Sequence, residues 1–505
     1  MASRRREGAR RRFSGTFTLR DGESVSGELA LRGEDTILRV HSSQFLVRVE
    51  ESECIRGLAH SGEHLTLIDC LSGGVGHVNS TGQPTRYYAD VFPHYVAVGR
   101  HHLDPRRKCI CGIHFTTDNL PQLFYDFDAF GHVIDANAVI DAVLEERRRI
   151  RPVDAGEHPL VLYFTGKECI ADVRTVAGRI SVHHRPRYNL GGPAGVYIKN
   201  RIDVSIEPDQ PVTLGEAVSR MYDVACFLSM AAGRAQGIHH IHVSIDAGSE
   251  NSLPPLVVHP SHRWRASDEP EQHALHPADL PLDPVRRREE FDSVLANWIA
   301  RHEGWRVARV LSLECLRKAN RYGSERLVTA ANMFDNLPAE AVPTATALPP
   351  DLSATRDACR EMFHQLPQSV DRDRALSDLS RLGAPSLRKK VAHRAALVES
   401  RLGTRFPELQ RVVSVAVRCR NFFVHASSDG LDYPKVAPLL SFLTDALEFV
   451  FAASDLIEAG WDPEPWTSEA HGWGHRFARF RHRYPIALAE LRRAMNWSRS
   501  NASSG

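Results

Sequence analysis

A chain of 505 residues is long enough for two or three domains with full cores. Its 42% hydrophobic and 25% charged residues exclude a disordered or fibrous class. The net charge of +1 gives no support to nucleic-acid binding by itself, although only 7 of the 63 basic residues are Lys. An Arg-heavy balance suits phosphate-binding surfaces, and it equally suits a GC-rich gene.

The opening MASRRREGARRRF holds six Arg and no apolar core, so it is not a secretory signal. Residues 1–12 read as a basic, solvated tail. Stretches 13–19, 25–31 and 36–40 are short, β-rich and punctuated by Gly and Asp, as in meandering antiparallel sheets. Strands at 55–58, 65–68, 95–98 and 109–115 continue the pattern. Gly73-Gly-Val-Gly76 reads as a turn between two of them. A helix over 135–148 sets Val139, Ile140, Val143 and Leu144 on one side. Strands return at 160–164, 179–183 and 195–205. The helix over 213–232 has Thr213 as its N-cap and Glu216 three residues on, and Gly233 stops it. A strand at 239–245 closes a β-rich domain with two packed helices, spanning 13–250.

Residues 251–286 lose periodicity and gather prolines, as a linker does. Beyond it the spacing predicts helices over 287–321, 324–336, 352–365, 386–402, 406–424 and 436–459, the last ended by Gly460 and Pro463. This region, 287–460, forms a second domain. The longest apolar stretch, 436–457, contains Asp445, Glu448 and Asp455, which excludes a plain transmembrane helix, so no membrane is expected as a partner. Residues 461–505 read as a C-terminal tail, with Trp461 and Trp466 packed at its start and a solvated basic face over 475–483. The expected fold class is α+β: an N-terminal β-rich, sandwich-like domain with packed helices, then an all-α helical bundle. Nine scattered cysteines, an odd number, with no export signal fit a reducing cytoplasm.

The helix over 406–424 leads into Arg420-Asn421-Phe422-Phe423-Val424-His425. On a helical wheel Val412, Val415, Ala416, Cys419, Phe422 and Phe423 share an apolar face. Arg411, Ser414, Arg418, Asn421 and His425 line the opposite one. Arg420 projects from within the apolar sector, where a charge is costly unless it is paired or lines a polar cavity. A guanidinium holds phosphate, and an imidazole moves a proton near neutral pH. Random placement gives roughly three Arg-x4-His pairs in such a chain, and requiring Asn directly after the Arg lowers that to about 0.1. On an ideal helix Arg420 and His425 lie about 140° apart. They converge only if the helix ends or bends before His425, or if two copies of the helix share a site. The bland alternative pairs Arg420 with a buried carboxylate and leaves His425 as a mere helix end.

This motif resembles that of the HEPN superfamily of small all-α ribonucleases, whose signature is an Arg and a His spaced in this way at a helix end, often with a polar residue after the Arg. More narrowly, the chain is similar to the Apea-like HEPN proteins of bacterial anti-phage defence, which join an ApeA-type β-rich N-terminal domain to a C-terminal HEPN domain. The N-terminal likeness rests on 13–19 with Val25-Ser-Gly-Glu-Leu29, on Ile55-Arg-Gly57 before Leu65-Thr-Leu-Ile-Asp-Cys70, and on Ala225-Cys-Phe-Leu-Ser-Met-Ala-Ala-Gly233, in that order. The likeness spans 13–460 and leaves the tail outside it. It implies metal-independent cleavage of RNA, frequently tRNA, with no cofactor. His425 would act as general base or acid, Arg420 would stabilise the phosphorane, and Asn421 would position a phosphate oxygen or the His. It also implies a homodimer through the motif helix; the two-domain architecture adds the expectation that the N-terminal domain senses a phage-derived trigger or restrains the nuclease. The competing reading is a non-catalytic HEPN module that binds RNA or protein.

Two other clusters stand outside the likeness. Cys109 and Cys111 with His114, below His101-His102, have the residue types of a zinc site but lack a second compact pair. His239-His-Ile-His242 sets alternating imidazoles on a strand and reads as ordinary strand histidines.

Overall fold

The computed structural model describes residues 11–497 apart from 20–21, 44–51, 80, 83, 190, 194, 247–252, 263–271, 345–346 and 427–429. Most of the expected basic tail lies outside the described residues. The chain divides into two compact units, one of 1–231, 235–266 and 282–300 and one of 232–234, 267–281 and 301–505.

The first unit begins with six strands, β1 (Arg11–Thr18), β2 (Ser24–Leu31), β3 (Ile37–Ser42), β4 (Ser52–Ala59), β5 (His64–Val78) and β6 (Arg86–Gly99). Alternation writes them: in β1, Phe13 and Phe17 are buried while Arg12, Ser14, Thr16 and Thr18 face out. Antiparallel pairing runs β1–β2–β3–β6–β5–β4 and returns from β4 to β1. The sandwich-like packing expected of these strands takes the form of a closed six-stranded barrel. Its core gathers Phe17, Leu29, Leu38, Val40, Ile55, Leu65, Leu67, Val91 and Val96. The Phe17 ring fits because its neighbours on both sides are glycines. A Cβ at Gly57 would stand 2.5 Å from the ring, and one at Gly27 3.1 Å. The Gly73–Gly76 run is not a turn. It lies inside β5, where the register with β6 shifts between Ser72 and Val75 and the glycines relieve the crowding, as in a β-bulge.

The sheet continues from β6 into β7 (Ile110–Thr117) and five later strands. Between them come α1 (Leu120–Leu123), β8 (Phe130–Val133), α2 (Asn137–Arg148) and β9 (Val161–Phe164). Then follow β10 (Cys169–Thr175), β11 (Gly178–His184), β12 (Arg187–Asn189), β13 (Tyr197–Lys199) and β14 (Ile202–Glu207). The expected strand over 195–205 is thus two strands. The order outward from the barrel is β16, β15, β7, β14, β11, β10, where β15 is Ile238–Ile245 and β16 is Leu256–Pro260. Strand β16 lies inside the stretch expected as a linker, because Leu256 and Val258 are buried and its backbone completes the ladder between β15 and β6. Helix α3 (Leu214–Ala232) starts with the capping box read from the sequence: the Glu216 amide donates to the Thr213 hydroxyl, and the Thr213 amide donates to the Glu216 carboxylate at 2.8 Å. Phe227 of α3 packs edge-on against Phe291 and Trp298 of α4 (Arg288–Ala300). Helix α2 buries no side chain, so the packing in this unit falls to α3 and α4.

The second unit is helical: α5 (His302–Arg317), α6 (Ser324–Asp335), α7 (Pro350–His364), α8 (Val370–Ser380), α9 (Leu387–Leu402), α10 (Leu409–His425), α11 (Tyr433–Val436), α12 (Leu440–Ala459), α13 (Pro463–Ser468) and α14 (Arg476–Ala494). The single helix expected over 287–321 is broken at Arg301, whose guanidinium reaches Asp455 and Glu458. Helix α8 escaped the sequence reading, having no apolar face to bury. The stretch expected as a tail holds α13 and α14, with Phe477, Phe480, Tyr484, Leu488 and Leu491 buried. Its basic face is not all solvated, because Arg476 pairs with Glu448.

Helix α12 is the spine of this unit. By length and hydropathy the segment 433–459 could span a bilayer, yet 72% of that window is buried here. Its acids are all engaged. Asp455 accepts from Arg309 twice at 2.9 Å and from Arg301 at 2.9 Å. Glu448 takes a bidentate pair from Arg326 at 2.7 and 2.8 Å, and Arg476 at 2.7 Å. Glu458 pairs with Arg301 and Arg394, and Asp445 accepts the Tyr322 hydroxyl at 2.7 Å. Burial works to raise the Asp455 carboxyl, but Arg309 and Arg301 outweigh it and hold the group below its ordinary range.

Removing one partner strands a buried charge. Asp455→Ala is expected to cost about 3–5 kcal/mol in chemical denaturation. Because the folded carboxyl sits low, its contribution is complete above the ordinary aspartate range and is lost as pH falls through the folded value. The melting gap between wild type and Asp455→Asn should therefore be full at pH 7 and close below about pH 4.

Candidate active site at the end of α10

Helix α10 buries Leu409, Val412, Val413, Val415, Ala416, Val417 and Cys419, while Phe422 and Phe423, expected on the same apolar face, are only half-buried. Burial pushes the Cys419 thiol up to about 12, which removes it as a nucleophile. The helix does not end before His425; His425 is its last residue. Ala426 then takes the left-handed conformation at φ 52° and its amide donates to the Phe422 carbonyl, an αL-type stop. The loop residues 427–429 lie outside the described residues.

Arg420 and His425 meet all the same. The arginine arm spans the angle that the backbone leaves open, and its Nη1 donates to His425 Nε2 at 3.1 Å and to Asn421 Oδ1 at 3.3 Å. One chain therefore brings the three motif residues together without a second copy. Accepting at Nε2 fits the neutral imidazole tautomer with its proton on Nδ1. The Arg420 side chain is 15% exposed, His425 is exposed, and the Arg420 Nε is buried without a hydrogen-bond partner.

Three residues that sequence reasoning missed complete the surroundings. Asn332 of α6 accepts from Arg420 Nη2 at 3.1 Å. Asp335, one turn on, lies 3.9 Å from the same nitrogen and is half-exposed. Lys390 of α9 donates to the Asp335 carboxylate at 3.4 Å and to its carbonyl at 3.3 Å. The bland pairing of Arg420 with a buried carboxylate is thus not what holds it; a neutral amide does. The signal for Asn332 and Asp335 was their i, i+3 spacing on one helix face, which names no partner. Beside the motif, the half-buried Phe422 stacks on Tyr433 at 4.9 Å, and Phe423 meets the same ring edge-on at 5.1 Å.

The other clusters are internally engaged. His114 has Ser205 on Nδ1 at 2.8 Å and Ser244 on Nε2 at 3.2 Å, and burial raises the Cys109 and Cys111 thiols. His239 Nε2 meets Asp118 at 2.9 Å, and His242 Nδ1 donates to the His240 carbonyl at 2.8 Å. Among the described residues no three or more metal-ligating side chains gather.

Alanine at the left-handed stop is strained where glycine is not. Ala426→Gly should leave the motif geometry intact and raise stability by roughly 0.5–1 kcal/mol, measured by denaturant titration.

Residues 12–298 match the family model described as ApeA N-terminal domain 1, and residues 328–465 match that described as Apea-like HEPN. No curated protein and no solved structure matches the chain.

Proposed function

We propose, since the chain belongs to the family that pairs an ApeA N-terminal domain with an Apea-like HEPN domain, that it is a metal-independent RNA endonuclease of bacterial anti-phage defence. The observation that carries this reading is the 3.1 Å contact between the Arg420 guanidinium and the His425 imidazole at an exposed helix end. These two groups supply what RNA needs to cut itself. His425 Nε2 takes the proton of a 2′-hydroxyl, and the 2′-oxygen attacks the adjacent phosphorus. Arg420 turns to the phosphate oxygens and holds the charge of the phosphorane, and Asn421 orients one of them. The bond to the 5′-oxygen breaks, that oxygen takes a proton from solvent, and a 2′,3′-cyclic phosphate remains.

In this reading tRNA is the substrate and the cytoplasm the compartment. Two copies associate through α10, whose end leaves Val424 45% exposed beside the half-buried Phe422 and Phe423. The first unit senses a phage-derived trigger or restrains the nuclease.

Induced expression of the wild type in bacteria should arrest growth and fragment tRNA, with 2′,3′-cyclic phosphate and 5′-hydroxyl ends. His425→Ala should lower cleavage by about 10²–10⁴-fold, and Arg420→Ala by about 10²–10³-fold. EDTA should leave the rate unchanged, and DNA or 2′-O-methyl RNA should stay intact. Equal growth of all three strains with intact RNA would instead mark a binding module.

A further inference from the structure

We propose that Asn332 is a positioning residue that holds Arg420 for its phosphate while leaving it charged, an inference that rests on the nuclease reading above. Asn332 Oδ1 accepts from Arg420 Nη2, while Nη1 faces His425 and Asn421. The guanidinium is thus fixed at both of its outer nitrogens. Among the described residues Asn332 takes the one hydrogen bond from Arg420 to another helix. That helix, α6, is itself pinned about 9 Å away along its axis, where the buried Arg326 grips Glu448.

The choice of amide over acid has a chemical reason. A carboxylate at 332 would fix the guanidinium equally well in space, but it would compete with the phosphate for the same donors and the same charge. The nearest carboxylate, Asp335, stops at 3.9 Å from Arg420 and spends one oxygen on Lys390. A neutral acceptor in contact, with a stretched ion pair to an acid that Lys390 shares, leaves the guanidinium aimed and only loosely paired.

Two substitutions at one position separate holding from charge. Asn332→Ala removes the anchor and should lower kcat on tRNA by roughly 10- to 100-fold, with KM changed less than about threefold. Asn332→Asp keeps the anchor but neutralises the guanidinium, so KM should rise about tenfold while kcat at saturation stays within about threefold. Asn332→Asp should also melt at or above the wild type, so its lost affinity cannot come from unfolding. A merely structural Asn332 would not split kcat from KM in this way. Wild-type kcat in Asn332→Ala, or wild-type KM in Asn332→Asp, overturns the proposal. If the wild type itself cuts nothing, the nuclease reading falls, and the clamp is judged by binding of a 2′-O-methyl oligoribonucleotide. Affinity about tenfold weaker in Asn332→Asp alone supports it, and equal affinity in all three chains overturns it.

Discussion

Three carboxylates on α12 decide where the helical unit puts its other helices. Asp455 draws in α5 through Arg309, Glu448 draws in α6 through Arg326, and Glu458 draws in α9 through Arg394. A buried ion pair returns little net stability, because desolvation takes back most of the attraction. What such pairs provide is angular choice: a bidentate guanidinium fits a carboxylate in few orientations. Two pairs act as keys for the motif: the bidentate Arg326–Glu448, and Arg394, which divides its donors between Glu458 and Ser454. Six residues beyond Arg326 on α6 stands Asn332, and four residues before Arg394 on α9 stands Lys390. The helices that touch Arg420 and its neighbouring acid are therefore registered by the same spine.

The motif itself lies where that rigidity gives way to solvent. Val412 to Cys419 anchor α10 in the core, while His425 and Val424 are exposed. A long arginine arm, stiff at its root and held at its tip, joins the two regimes. That division suits a group that must hold its place yet release one hydrogen bond when an anion arrives.

The helical half was legible where the information is local. Periodicity gave the apolar face of α10, and the Arg-Asn-x3-His spacing gave the three residues that the structure gathers. Thr213 and Glu216 announced the start of α3 by capping chemistry alone. The wheel failed at one point: it measures backbone angles, and the 140° it put between Arg420 and His425 ignores the reach of a guanidinium. Asn332 was invisible because its meaning comes from a residue 88 positions away. Barrel closure was hidden for the same reason, since β5 meets β6 and β4 meets β1 by pairings that no single stretch encodes. The break at Arg301 depends on a carboxylate far along the chain, and the burial of α14 on Phe406, Phe442 and Phe449, which lie outside it.

Closure of the barrel also settles how this sheet ends. A strand with one bare flank invites another backbone to add on, which is how many β-proteins aggregate or swap. Twelve strands are joined here, yet rolling β5 back onto β6 covers the near half of that border, up to Cys70, on both sides. Among the described strands of that sheet, β10 alone has a single neighbour, and β5 beyond Cys70 has β6 on one flank only. Strand-by-strand growth of this assembly, wanted or unwanted, accordingly is confined to β10 and the far half of β5.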